Sequence, residues 1–102
     1  MKETIRVIVK DPGRRAQLRE IPNTLEELQR IVGGFIETIR FDEQSVLIVN
    51  EEGKLRGLPL NFPLWNDIIV GTAVVAGVSG EEFTDVSNQT IRIFNAIMED
   101  QR

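Results

Sequence analysis

In the segment S-V-L-I-V at residues 45–49, four apolar side chains follow Ser45 without a polar break. A strand points its side chains alternately to two faces, so such a run has no face to give to water and is buried on both. Just ahead of it, residues 35–41 alternate, with Phe35, Glu37, Ile39 and Phe41 on one side and Ile36, Thr38 and Arg40 on the other. Asp42 and Glu43 supply a short polar turn between the two runs, which makes them an antiparallel hairpin.

The flanking segments supply more strands and two helices. Ile5, Val7 and Val9 alternate with Arg6, Ile8 and Lys10, a β-branched pattern that predicts a strand with one better-buried face. Asp11, Pro12 and Gly13 turn the chain, and residues 16–21 return as a second strand. Arg14, Arg15, Arg19 and Glu20 place that strand at a sheet edge, where charge discourages the addition of further strands. The same arginines have a second reading, as a patch that holds phosphate.

Asn23 with Glu26, or Thr24 with Glu27 one residue later, has the spacing of a capping box. Leu25, Leu28, Ile31 and Val32 then recur at helical intervals, and Gly33 and Gly34 end the helix. Residues 67–78 give another long β run, in which Gly71 marks a bulge or the close approach of another backbone. The G-V-S-G that follows turns the chain. Ser87 caps a final helix with Ile91, Phe94, Ile97 and Met98 on one stripe. Strands joined by short turns pair antiparallel, so the chain is expected to form one α+β domain over residues 1–102. Its sheet should be mostly antiparallel, of about five strands, with both helices packed on one face.

Several kinds of chemistry are excluded by composition. The 102 residues include no histidine, cysteine or tyrosine. Within one chain that removes the imidazole base, the thiolate nucleophile, the disulfide framework and histidine- or thiolate-bound zinc. No nucleophile sits in a G-x-S-x-G or phosphate-loop motif, and the paired acids Glu51/Glu52, Glu81/Glu82 and Glu99/Asp100 would need partners from separate segments to form a site. A net charge of −4 disfavours direct nucleic-acid or anionic-lipid binding. No apolar run approaches the ~20 residues of a spanning helix, and residues 1–9 do not read as a secretory signal. The expectation is a cytoplasmic, non-catalytic protein with no cofactor and no metal.

The stretch V-N-E-E-G-K-L-R-G-L-P-L-N at residues 49–61 departs from this scaffold pattern. As a plain loop it is a turn with solvated charges, which Gly57, Leu58 and Pro59 lead away from the sheet. As a site, Asn50 and Asn61 offer donors and acceptors, Lys54 and Arg56 hold an anion, and Glu51 or Glu52 accepts from a ribose hydroxyl or a base amine. Trp65, the only tryptophan, either anchors the loop or stacks on a ligand base.

Taken with N-T-L-E-E-L-Q-R-I-V-G-G-F-I-E, D-I-I-V-G-T and G-E-E-F-T, the stretch N-E-E-G-K-L-R-G-L-P-L-N resembles a family of short uncharacterised proteins common in bacteriophages and bacterial mobile elements. The resemblance runs from Ile5 to Ile97, with a shorter connection between Leu60 and Asp67. It implies an accessory protein that acts by binding. In one version the chain sequesters a nucleotide-like immune signal of the bacterial host cell, in a pocket built partly from Asn50 to Asn61. In the other it blocks a host defence or regulatory protein. Self-association into a homo-oligomer is expected, with residues 68–78 as a shared apolar surface.

Overall fold

The structure is a computed structural model and describes residues 2–101. In chain order it contains β1 (Thr4–Lys10), β2 (Gln17–Pro22), α1 (Leu25–Val32), β3 (Ile36–Asp42), β4 (Ser45–Asn50), β5 (Leu60–Leu64), β6 (Asp67–Val70), β7 (Ala73–Ser79), β8 (Glu82–Thr84) and α2 (Asn88–Asp100). The α+β class and the antiparallel sheet are as the sequence predicts. The main sheet runs β2-β1-β7-β4-β3, and short β8 joins it along β7. Gly77 of β7 pairs with both Ser45 of β4 and Thr84 of β8, so β8 lies on the edge of β7 opposite β4. Strands β5 and β6 form a separate hairpin. No helix among the described residues is long and apolar enough to cross a membrane.

The two helices cover opposite faces of the sheet, not the same one. Leu28 and Val32 of α1 pack with Ile5, Val7, Val9, Val46, Ile48, Val74 and Ala76. Alternate residues of the same strands, Ile8, Leu47, Val49, Ala73 and Val75, meet Phe94 of α2 together with Phe62, Leu64 and Ile69 of the β5–β6 hairpin. The physical reason is the apolar centre of the sheet. Every residue of β4 is buried, and a strand with no polar face needs a layer on each side.

The second layer is completed by chain that reads locally as loop. Residues 67–78 divide at Gly71, which adopts φ +72° and whose N–H donates to Pro59 O at 2.8 Å. A Cβ there would stand 2.8 Å from Leu58 Cδ1, so glycine lets the backbone turn against that side chain. The first half becomes β6 and pairs with residues 60–64, whose Pro63 is tolerated because the hairpin has open edges.

Local signals set the helix ends. Of the two possible capping pairs the structure uses Thr24, whose hydroxyl accepts from Glu27 N at 3.1 Å. Asn23 instead donates its amide to Lys2 O and Phe83 O, tying the start of β1 to β8. Gly33, at φ 81°, closes α1 by donating to Gln29 O at 2.8 Å. Ser87 caps α2 by accepting from Thr90 N at 3.0 Å.

Candidate functional site

Strand β4 ends on Asn50, a buried side chain that spends both its polar ends on backbone. Its Nδ2 donates to Val32 O at 3.2 Å and its Oδ1 accepts from Glu52 N at 2.8 Å. Arg56 reaches the same helix end, its Nη1 donating to Gly33 O at 3.3 Å. Both side chains therefore satisfy carbonyls left open at the C-terminus of α1. Gly34 is the space they need, since a Cβ there would lie 2.8 Å from Asn50 Nδ2. Between them residues 51–57 coil tightly: Gly53 N donates to Asn50 O at 3.1 Å and Arg56 N to Glu52 O at 2.9 Å.

Lys54 points the other way and pairs with Asp67 of β6 at 2.5 Å. The hydrogen bond from Lys54, helped by the N–H of Ile68, holds the Asp67 carboxyl below its ordinary value. Lys54, Asn50 and Glu51 border a shallow cleft of about 270 Å³ over Ile39 and Val49, with Leu55 and Ile68 also on its wall. Glu52 is exposed and, like Arg56, does not line this cleft. Trp65 lies at the β5–β6 turn with φ 52°, its ring centroid 5.9 Å from that of Phe41, and it borders neither this cleft nor the larger one described next. Its contact with Phe41 favours the anchoring reading over base stacking.

Asn61 is drawn away from the other predicted site residues into a cleft of about 600 Å³ between the β1–β2 turn, β5 and the C-terminal end of α2. Lys10 closes β1 here. Its place in the alternation sends it to the α2 face, beside Ile8, where it is 9% exposed. The ammonium donates to Asp11 O at 2.9 Å and to Asn61 Oδ1 at 3.0 Å. Asn61 Nδ2 in turn donates to Lys10 O at 2.8 Å and Gly71 O at 2.7 Å. Burial lowers the Lys10 pKa, against the opposing pull of the Asp11 carboxylate.

Arg14 and Arg15 border the same cleft. Among the described residues neither guanidinium has a hydrogen-bond or ion-pair partner, and Lys10 has no carboxylate within ion-pair distance. The apolar wall is Phe62 and Met98, and Glu99 is the one carboxylate in the lining. Three cations with spare donors around one concavity could hold an anion by charge and by hydrogen-bond supply. Among the described residues no group of three or more acids is placed to hold a metal ion.

The predicted constellation is thus divided. Asn50, Glu51 and Lys54 stay together, Glu52 and Arg56 lie outside their cleft, and Asn61 joins Lys10 instead. The alternation of β1 points to Ile5, Val7 and Val9 as the better-buried face and gives no sign of Lys10, yet the strand is covered on both sides. Compared with protein families, residues 5–99 match the model of DUF3846, a domain of unknown function. No curated protein and no solved structure matches the chain.

Proposed function

The chain belongs to that family of unknown function, and from this premise and the geometry we propose that it is a non-catalytic protein that binds and sequesters a small, anionic, nucleotide-like molecule. The observation that carries the reading is the convergence of Lys10, Arg14 and Arg15 on the larger cleft without an ion-pair partner among the described residues. At about 600 Å³ this cleft falls in the range of about 300–1,000 Å³ usual for small-molecule sites, and the cleft beside Lys54, at about 270 Å³, falls below it. The size of the cleft supports a ligand position at Asn61 and the β1–β2 turn over one across residues 50–56. The biological role that fits is the capture of a nucleotide-derived immune signal in the cytoplasm of a bacterial host cell.

Thermal unfolding against a panel of nucleotides tests this. A ligand that binds only the folded chain stabilises it by about 2.7 kcal/mol at a hundredfold excess over Kd. The upward shift in Tm should vanish in the Arg14→Gln/Arg15→Gln double variant and persist in Lys54→Ala. A shift lost in Lys54→Ala and kept in the double variant would move the site to the Asn50 cleft.

A second reading, docking of a protein, is favoured by the apolar side chains left in water around the 50–68 segment. Leu55 is 90% exposed, Trp65 64% and Ile68 51%. Leu55 and Ile68 wall one cleft, among the charged side chains of Glu51, Lys54 and Asp67, and offer a seat for a second copy of the chain or for a host defence protein. Residues 73–76 are buried in the middle of the sheet, so the shared surface expected of residues 68–78 is not available there. Light scattering on wild type and Leu55→Asp tests the self-association version. A monomer mass for wild type at high concentration removes it.

A further inference from the structure

Resting on the reading just given, we infer that the basic cleft selects a terminal phosphate monoester and discriminates against phosphodiesters, so that its ligand class is a nucleoside monophosphate or another molecule with an unsubstituted phosphate end. Access is the first reason. Lys10 is 9% exposed and its ammonium is held between Asp11 O and Asn61 Oδ1. Of its three N–H donors two are engaged, and the third has no acceptor among the described residues. A phosphate that meets this remaining donor, with two others already engaged, does so most readily with a bare face. A monoester presents three terminal oxygens at one end, while a diester phosphorus carries a substituted ester oxygen on either side and only two free oxygens.

Charge is the second reason. Lys10, Arg14 and Arg15 are opposed within the lining by Glu99. The C-terminal end of α2 adds the equivalent of about half a negative charge. Asp11 acts on the Lys10 charge from outside the lining, and one of its carboxylate oxygens accepts from Thr72 Oγ1 at 2.7 Å. With Asp11 counted the surplus is less than one positive charge, but the site stays net positive. A monoester, at about −1.5 to −2 at pH 7, is therefore attracted more strongly than a diester monoanion.

Donor number is the third reason. The spare N–H of Lys10 and the two forked guanidinium groups provide one cationic donor group for each of three phosphate oxygens. The body of the ligand then lies along Phe62 and Met98, near the Asn95 amide.

Isothermal titration with four probes tests the selectivity: adenosine 5′-monophosphate, inorganic phosphate, adenosine 3′,5′-cyclic monophosphate and adenosine. The two probes with an unsubstituted phosphate face should bind at least about tenfold more tightly than the cyclic diester, which corresponds to about 1.4 kcal/mol, and adenosine should not bind measurably. The preference should be lost in Lys10→Met. Because that substitution also removes a bond to Asn61, the Arg14→Gln/Arg15→Gln variant, whose side chains hold nothing in the described fold, provides a reading free of folding effects. Cyclic diester binding as tight as the monoester and lost in the double variant overturns the selectivity and leaves the nucleotide-binding reading standing. Binding of inorganic phosphate without either nucleotide upholds the phosphate site and overturns the nucleotide reading. No heat with any probe overturns both.

Discussion

Lys10 and Asn61 hold each other through two hydrogen bonds. The ammonium donates to Asn61 Oδ1 at 3.0 Å while the amide donates back to Lys10 O at 2.8 Å. A third bond from the same amide, to Gly71 O at 2.7 Å, fixes the turn between β6 and β7. One side chain thereby joins the end of β1, strand β5 and the turn at Gly71, and keeps a mostly buried charge solvated by protein. Replacing Asn61 with Leu, which has the same branching but no polar atoms, removes all three bonds. The expected cost is about 2–4 kcal/mol, the scale for buried polar groups left unsatisfied when one of them is charged. Urea unfolding should show a lower midpoint with an unchanged slope. Asn61→Asp should be milder, since an acceptor for Lys10 remains, yet it should weaken phosphate binding by placing a negative charge at the cleft.

Asp42 performs the equivalent task at the opposite end of α2. Its Oδ1 accepts from Ser45 Oγ at 2.6 Å and Gln44 N at 2.9 Å, and its Oδ2 accepts from Thr90 Oγ1 at 2.7 Å. Burial alone would raise its pKa; the bonds from Ser45, Thr90 and the backbone of residues 44 and 45 together outweigh burial, and the pKa is lowered. A carboxyl with a lower pKa folded than unfolded contributes stability in full above the unfolded value, about 3.9, and loses it as pH falls through the folded one. Asp42→Asn should thus be less stable than wild type at pH 7, by about 1–3 kcal/mol. The gap should narrow as pH falls from 4 to 2. Urea midpoints at a series of pH values give the test, and a gap that stays constant into acid would remove the carboxylate's charge from the account.

At Gly77 the backbone that follows β8 passes close against β7. A Cβ at this position would lie 2.2 Å from the carbonyl oxygen of Asp85, well inside contact distance. The obstacle is main chain, and it is pinned on both sides: Asp85 Oδ1 accepts from Arg6 N at 2.8 Å, and Val86 N donates to Arg6 O at 2.8 Å. Since the Asp85 backbone cannot yield without straining those bonds to β1, Gly77→Ala should destabilise by about 3 kcal/mol, the upper end for overpacking. Gly13→Ala meets no atom within 4 Å, so its cost is limited to the strain of φ +72°. A larger loss of Tm for Gly77→Ala than for Gly13→Ala is the expected result.

Strands β1 and β3 are legible from two-residue alternation and β4 from its unbroken apolar run between polar turns. The two-sided burial of β4 already implied a layer on each face. Placing both helices together left one face bare, and the β5–β6 hairpin that helps to fill it was hidden behind Pro63, Gly71 and an exposed Trp65. Close backbone approach at a strand glycine was anticipated for Gly71 but not for Gly77, which reads locally as part of a turn. Asn50 and Arg56 looked like ligand groups because sequence shows donors without showing what consumes them. The open carbonyls of α1 lie far away along the chain and beside them in space. Lys10 has the opposite history, an ordinary strand-end lysine by pattern whose surroundings leave its charge short of partners.

That shortage sets the pH response expected of the cleft. The second ionisation of a phosphate monoester falls near pH 6, so between about pH 5 and 7.5 the ligand gains negative charge while the guanidinium groups of Arg14 and Arg15 stay positive. One added unit charge at about 4 Å is worth at least about 1 kcal/mol even at the dielectric of water, or roughly fivefold in Kd. Adenosine monophosphate should bind more tightly with rising pH over this interval, and the cyclic diester, which has no second ionisation, should not. Above it the direction reverses. Burial lowers the pKa of Lys10, and although Asp11 opposes the shift, the ammonium loses its proton earlier in the alkaline range than an exposed lysine. The groups facing it are Asp11, Arg14 and Arg15 on the turn, Asn61 on β5 and Glu99 on α2. Affinity for the monoester should therefore pass through a maximum and fall at alkaline pH. Lys10→Arg, which cannot lose its charge there, should remove the alkaline fall and keep the acid one, and an alkaline limb unchanged in that variant would assign the fall to another group.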